Sequence, residues 1–458
     1  DHFVPYRLMG IAVHLAVCGV AGVLVARRWN WLVGCAVAYA LALMGGGWQN
    51  IFWPFQIGLM GSLLFVLLAV DAYDRSKAGA SRNWLIAASI FCVAAILCSG
   101  VGIPGVGAFA LLCWLPASRQ KTWWVPVPAI VLYGFWYLFY GRSGQNIGEL
   151  AKMPSYVGES GQAAVSDFLT VNNFFGWVGL SVVTAVVLLA IVRRKATWRM
   201  LVWPVFVLSF WILNALTRAG LSIPGASRYV YISIVLLVLT IFDAIPLWPN
   251  KRNIRIALSL LIAILSIVTV QRSNQLLRDG AGGLRYEGER ISYELAVVDA
   301  IGDQLDPNFV IDPVHAPGLT VGEYLAATRD LHSSPAYPRE SVEIVTSAKS
   351  FGNDSIAAGV DRLFDHLLIV TSTNNSASNC RPIPPETVNI EFSSGQTVYV
   401  LSNTTQQIRI SRYATAGEIG AAPREISAGV IEFRSPADSF GKPWKVSFSD
   451  PVLNLVCR

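Results

Sequence analysis

The chain has 458 residues, 53% hydrophobic and only 14% charged, with a mean hydropathy of +0.49; an ordinary soluble domain carries roughly 25% charge and is excluded. The formal net charge is +6, but Lys and Arg stand in short runs beside apolar stretches rather than along one basic face, which indicates orientation signals and excludes nucleic acid as a partner. Apolar, Trp-rich sequence fills residues 1–271 while most acids lie in 272–458, so two physical environments share one chain.

The sequence opens at Asp1 with no initiator Met, basic leader or cleavage motif, so there is no signal peptide to set aside, and an upstream segment is expected. A spanning helix needs roughly 20 apolar residues, because the hydrocarbon core is about 30 Å thick and each residue rises about 1.5 Å. Segments near 8–26, 30–46, 53–71, 83–98, 101–117, 123–140, 171–192, 199–217, 228–248 and 254–271 meet that requirement. The expected fold is an α-helical polytopic membrane bundle of about ten transmembrane helices. Several segments are short, which leaves tilt or re-entry open.

Cytoplasmic loops hold the excess of Lys and Arg. One alternate set of loops contains Arg27 and Arg28; Arg75, Lys77 and Arg82; Arg119 and Lys121; Arg193, Arg194 and Lys195; and Lys251, Arg252 and Arg255. The other set, 45–52, 99–102, 141–170 and 218–227, is uncharged or sparsely basic. This alternation sets the first group in the cytoplasm of a plasma (inner) membrane protein and residues 272–458 outside.

That exterior part reads as an α/β lobe over 272–379, from patterns such as Tyr293 to Ile301 and Leu367 to Thr371. A β-rich lobe over 380–458 follows, from the apolar–polar alternation at 388–392, 396–401, 408–410, 429–433 and 444–448. It reads as a small β-sandwich. Of seven cysteines, Cys18, Cys35, Cys92, Cys98 and Cys113 lie in apolar runs without ligand spacing, where a thiol acts as a small hydrophobe. Cys380 and Cys457 bracket the strand-rich stretch, and in an oxidising compartment they are expected to be bridged.

Polar groups inside a bilayer are costly unless they face the bundle or a wet cavity, so they lead the candidates. Arg7 and His14 share a helical face near the outer leaflet, for contact with a headgroup or leaving group; a histidine bonded to a neighbouring helix is the alternative. The stretch from Gly45 to Gln56 combines three glycines, Trp48 and Trp53, and the amides of Gln49, Asn50 and Gln56. Aromatic faces beside amides make a sugar-binding surface, and an aromatic-belt turn is the plainer reading. Arg218 and Arg228 stand at the outer surface, where orientation gives no reason for cations. With Ser227 and Tyr229 they suit a lipid phosphate, against ordinary snorkelling to bulk headgroups. Asp243 pairs with the basic loop or snorkels.

The loop 141–170, with Glu149, Lys152, Glu159 and Asp167, reads as solvated or as a cover over an exterior site, with Asn172 and Asn173 at the same mouth. Asp312 to His315 and His332 to Tyr337 lack a nucleophile elbow or zinc motif. Walker and dinucleotide fingerprints are missing from the sequence too, which argues against nucleotide-driven transport; no metal ligand is assigned and no cofactor is expected, with a metal requirement left open.

The run from Asp1 to Arg7, an apolar span with His14 and then Arg27-Arg28 resembles the second membrane segment of GT-C-type glycosyltransferases. The Trp48-Gln-Asn-Ile-Phe-Trp-Pro loop and the Ser227-Arg-Tyr-Val-Tyr element fit the same comparison, in topology and loose motifs over about 270 residues. The resemblance implies transfer of a sugar from a polyprenyl-phosphate donor to an extracytoplasmic glycan, lipid or protein acceptor of the cell envelope. It also implies a catalytic acid in a first outer loop upstream of Asp1. Nothing in the sequence transfers that role to Glu149 or Asp167, so the catalytic residue stays unassigned. On this comparison Arg228, with Arg218, holds the departing phosphate, Arg7 and His14 assist, and Trp48, Gln49, Asn50 and Gln56 meet a sugar. The rival expectations are a lipid or glycan transporter and a non-catalytic envelope assembly protein.

Overall fold

The computed structural model describes residues 4–77, 81–114, 122–141, 147–193, 197–219, 223–244, 252–313, 316–332, 334–336, 354–365, 367–373, 380–413, 423–437 and 442–457. The chain divides into two compact units, Asp1–Leu284 and Arg285–Arg458.

Unit 1 is helical. Its helices are α1 (Val4–Arg28), α2 (Trp31–Ala42), the short α3 (Trp48–Phe52), α4 (Ile57–Lys77), α5 (Asn83–Cys98), α6 (Gly102–Trp114), α7 (Val127–Tyr140), α8 (Met153–Leu169), α9 (Asn173–Val192), α10 (Trp198–Arg218), α11 (Ser227–Asp243) and the start of α12 (Arg252–Ile301). Every segment read as a span contains a helix. By length and composition five helices among the described residues suffice to cross a bilayer: Val4–Arg28, Pro54–Lys77, Asn173–Val192, Arg199–Arg218 and Arg255–Gln304. The pair Trp31–Ala42 and Gly45–Phe52, bent by 49°, makes a sixth if it counts as one span. Helices α5, α6 and α7, with 16, 13 and 14 residues, are apolar but shorter. This is the architecture of a helical membrane protein.

Helix α11 is apolar on all sides and buried along nearly its whole length, so it forms the centre of the bundle. At one end of the bundle the charged termini of four helices meet. Asp243 takes Arg28 at 3.1 Å and Arg199 at 3.0 Å, together with the Trp203 indole N–H at 2.6 Å. Arg199 also pairs with Asp74, and Asp71 pairs with Arg27 and with Arg75. These ion pairs collect basic segments that the sequence placed on one side. Asp243 is thus paired, with its side chain 6% exposed.

The segment 141–170 is not a loop throughout. Tyr156, Ser160, Gly161 and Ala164 recur at helical spacing and are buried, so α8 packs against α9, α10 and α11. The boundary expected at 271 falls inside α12, which continues because the polar stretch after Gln271 contains no proline to stop it. The division into units lies at Leu284 and Arg285 instead.

Unit 2 contains the antiparallel pair β1 (Val310–Asp312) and β2 (Ala316–Thr320), the helices α13 (Val321–Leu331) and α14 (Asp354–Asp365), and a seven-stranded sheet. The sheet comprises β3 (Ile369–Thr373), β4 (Cys380–Phe392), β5 (Thr397–Ser402), β6 (Gln406–Ser411), β7 (Arg424–Ile426), β8 (Gly429–Arg434) and β9 (Trp444–Cys457), in order β3-β8-β5-β9-β6-β7 with β4 also on β9. All its pairings are antiparallel. The two lobes expected on either side of residue 380 form one unit, because β3 pairs along its length with β8. A shared core confirms this, with Val360, Leu363 and Phe364 of α14 buried in one cluster with Trp444, Val446 and Phe433.

Candidate functional site

The uncharged turn between α2 and α3 is the place where separate parts of unit 1 converge. Each of its glycines faces a different neighbour, and each fit depends on the missing side chain. A Cβ on Gly45 would stand 2.6 Å from the Ser273 carbonyl of α12, one on Gly46 2.7 Å from Cβ of Asp167 on α8, and one on Gly47 2.7 Å from the Tyr231 ring of α11. The Trp48 ring in turn lies over Gly280, 2.5 Å from where a Cβ would be. A larger residue would therefore force helices apart.

The turn is tied to α11 by reciprocal hydrogen bonds. The Gln49 backbone N–H donates to Ser227 Oγ at 3.1 Å, and the Arg228 N–H donates to Gln49 Oε1 at 3.1 Å. The first N–H groups of a helix have no partner within it, so the Gln49 side chain caps α11 from another part of the chain. Half-buried Arg228 lies over the Tyr229 ring at 5.0 Å, and Tyr229 meets Phe210 edge-on at 6.1 Å. Arg228 has no carboxylate partner among the described residues. It remains a cation with donors to spare at the head of a buried helix.

Next to this junction are polar atoms that the fold leaves unmatched. Asn50 and Gln56 are 1% and 2% exposed, yet among the described residues both amide atoms of Asn50 and Oε1 of Gln56 have no hydrogen-bond partner, nor does buried Ser273 Oγ. A buried, unmatched polar atom costs about 1–3 kcal/mol, so a polar group entering here would gain bonds that the protein does not supply.

Asp167, at the end of α8, is the acid of this region. Helix α8 is not an apolar span, and the chain leaves it through left-handed Thr170 at φ 51°. Burial pushes the Asp167 carboxyl up to about 6, opposed by a hydrogen bond from Ser166. Exposed Glu159 stands on the same helix, and the Glu149 side chain lies outside the described residues. Asn172 caps α9, and Asn173 Oδ1 accepts from Gln162 Nε2 at 3.1 Å, so both serve the α8–α9 turn.

His14 is 2% exposed. Its Nε2 donates to the Ala42 carbonyl at 3.0 Å, which leaves Nδ1 to accept from the Tyr231 hydroxyl at 2.9 Å. Both nitrogens are thus committed to neighbouring helices, and the ring supports the turn from below through Tyr231. Arg7 and Arg218 are exposed. The structure therefore gathers Trp48, Gln49, Asn50, Gln56, Arg228 and Tyr229 around one turn, places His14 beneath it, and leaves Arg7 and Arg218 at the surface. Sequence reasoning included Tyr231 in the Ser227-Arg-Tyr-Val-Tyr element without giving it a role, and it missed Ser273 and Gly280, whose importance depends on contacts without any local motif.

In unit 2, His315 and Tyr337 lie outside the described residues, and exposed His332 ends α13. Ser334 donates to Asp299 at 2.9 Å and bonds the Tyr324 hydroxyl at 2.7 Å. No cluster of three or more metal-ligating side chains occurs among the described residues.

Comparison with protein-family models, with curated proteins and with solved structures returns no match to this chain.

Proposed function

We propose that the protein is a GT-C-like membrane glycosyltransferase that moves a sugar from a polyprenyl-phosphate donor to an acceptor outside the cytoplasm. The observation that carries this reading is the Gln49–Ser227–Arg228 link. It joins the aromatic, amide-rich turn suited to a sugar with the cation suited to a phosphate. A lipid-borne donor needs all three parts of such a site: apolar helices for its tail, a cation for its phosphate, and polar side chains for its sugar. On this reading the end of the bundle that gathers Arg27, Arg28, Arg75 and Arg199 faces the cytoplasm of an inner membrane, as the distribution of basic residues requires. The glycine turn and residues 272–458 then lie outside, about ten crossings being made in all.

The test is transfer by the full chain, produced from its complete reading frame and reconstituted in liposomes, with radiolabelled polyprenyl-phosphate sugars. Arg228→Ala should lower turnover about 10²-fold or more. Equal transfer by both proteins would remove Arg228 from this role, and no transfer from any donor would overturn the enzymatic reading.

One feature favours a second reading, transport of a lipid or glycan. The helix broken by 49° beside unmatched buried amides is the kind of element from which transporters build binding sites. Movement of labelled lipid across the vesicle without chemical change would select this alternative.

A further inference from the structure

Taking the glycine-turn end of unit 1 as the transfer site proposed above, we infer that Asp167 is the group that accepts the proton of the acceptor hydroxyl. In such a transfer the hydroxyl oxygen forms a bond to the anomeric carbon of the donor. The bond from that carbon to the phosphate oxygen breaks, and its electron pair leaves with the phosphate. The hydroxyl proton goes to a base, which needs to be a carboxylate close to the site, open to the acceptor and not neutralised by a fixed cation.

Asp167 meets each condition. Its Cβ packs on Gly46, whose missing side chain permits the approach, and Val230 of α11 closes on the same point, 3.3 Å from where a Gly46 Cβ would be. Val230 lies three residues after Ser227 and shares its helical face, so the carboxyl stands beside the turn of α11 that Gln49 caps. One turn earlier on α8, the Ala163 methyl lies 3.3 Å from where a Cβ on Gly225 would be, so the helix runs close along the segment that leads into α11. Asp167 is half-buried, between the solvated Glu159 and the fully enclosed Asn50.

Among the described residues, the charged and titratable groups on the elements around it are Arg228, Tyr229, Tyr231 and, at the far end, Asp243 of α11, Arg199 and Arg218 of α10, and Lys152, Tyr156 and Glu159 along its own helix and the turn before it; the glycine turn brings none. Its raised basicity comes from burial, opposed by a hydrogen bond from Ser166, with no contribution from these charges. Arg228 lies two residues from Val230 and therefore on nearly the opposite face of α11. A cation for the leaving group, on α11, and a base for the entering one, on α8 beside Val230, thus stand on different sides of one turn of α11. An acid that titrates near 6 is mostly ionised at neutral pH yet more basic than a solvated aspartate, which suits proton abstraction.

The experiment measures transfer against pH for the reconstituted full chain, comparing wild type with Asp167→Asn, Asp167→Glu and Glu159→Gln. The wild-type rate should fall on the acid side with a midpoint near 6. Asp167→Asn should lower kcat by about 10²–10⁴ while KM for the donor moves less than about threefold. Asp167→Glu should recover part of the rate with a displaced acid limb, and Glu159→Gln should behave as wild type. If the wild type transfers and Asp167→Asn keeps its rate and acid limb, this assignment fails while the transferase reading stands. If the wild type transfers nothing from any donor, both fall together.

A second measurement does not depend on how the variants fold. A hydrophobic carbodiimide modifies protonated carboxyls, so labelling of wild-type Asp167, followed by mass spectrometry, should rise as pH falls through about 6. A labelling profile identical to that of Glu159 would overturn the inference.

Discussion

Gln49 and Ser227, 178 residues apart in sequence, are joined by a hydrogen bond of 3.1 Å from the Gln49 backbone to the Ser227 hydroxyl. The Gln49 side chain closes the pair by accepting from the Arg228 backbone, so one residue both anchors the turn and caps the central helix. Ser227→Ala and Gln49→Ala should each destabilise unit 1 by about 1–2 kcal/mol. Because both act on one junction, the double variant should lose less than the sum, with a coupling of about 1 kcal/mol. Unfolding in mixed micelles measures all four proteins, and strict additivity would show that the junction is not a working unit.

At the other end of the bundle, Asp243 receives three donors while its side chain is 6% exposed. Asp243→Asn keeps the shape but removes the charge facing Arg199 and Arg28. A buried ion pair broken on one side leaves an uncompensated charge, at a cost of about 3–5 kcal/mol. Arg199 retains Asp74, so the loss should fall at or below the lower figure. A lower unfolding midpoint, with a change in Trp203 fluorescence, is the expected result. An unchanged midpoint would mean that these charges remain solvated.

Much of the bundle is legible because apolar runs mark its helices: each of the ten segments read as a span contains a helix, while five, or six with the bent pair, are long and apolar enough to cross a bilayer among the described residues. Their packing is less legible. Helix α8 looks like a polar loop because, apart from Tyr156, its buried face is made of Ser, Gly, Ala and Gln, small or polar residues that hydropathy does not distinguish from loop residues. The site could be read as two motifs, the glycine turn and the Ser227–Tyr229 segment, but their contact could not, since no periodicity links residues so far apart. Asp71 and Asp74 were equally hidden as partners of Arg27 and Arg199. In unit 2 the strands show by alternation, whereas the long β9, which pairs with β4, β5 and β6, decides the sheet order and leaves no local trace.

Glu294 makes unit 2 sensitive to pH. It is 1% exposed, and burial, then the charge of Asp312, push its carboxyl up to about 8 against the pull of Arg290 and Arg362. The folded chain therefore holds this proton at neutral pH, whereas the unfolded chain releases it near the ordinary value of 4.5. Stability from this group is complete below 4.5 and is lost as pH rises toward 8. Glu294→Gln imitates the protonated form, so its midpoint should vary less with pH. Above pH 8 it should exceed wild type by on the order of 1–3 kcal/mol. Thermal unfolding of the full chain between about pH 5 and 9, followed by the β-sheet signal, measures the difference. Parallel curves for the two proteins would show that Glu294 is ionised within the fold.

Cys380 and Cys457 are directly opposed in the register of β4 and β9. Their side chains lie outside the described residues, and the cysteines that are described, Cys18, Cys35, Cys92, Cys98 and Cys113, are free. A bridge between Cys380 and Cys457 is therefore a proposal, which mass and stability test. Chain exported across the membrane should lose about 2 Da relative to its reduced form. Cys457→Ser should destabilise the sheet by about 2–4 kcal/mol under oxidising conditions and have little effect in reductant. Chain whose sheet remains in the cytoplasm should keep Cys380 and Cys457 as free thiols, because glutathione keeps such pairs reduced. The oxidation state therefore reports the side of the membrane as well as the bond: free thiols on correctly inserted protein would remove the bridge, and with it the support that a disulfide would give to an exterior position for unit 2.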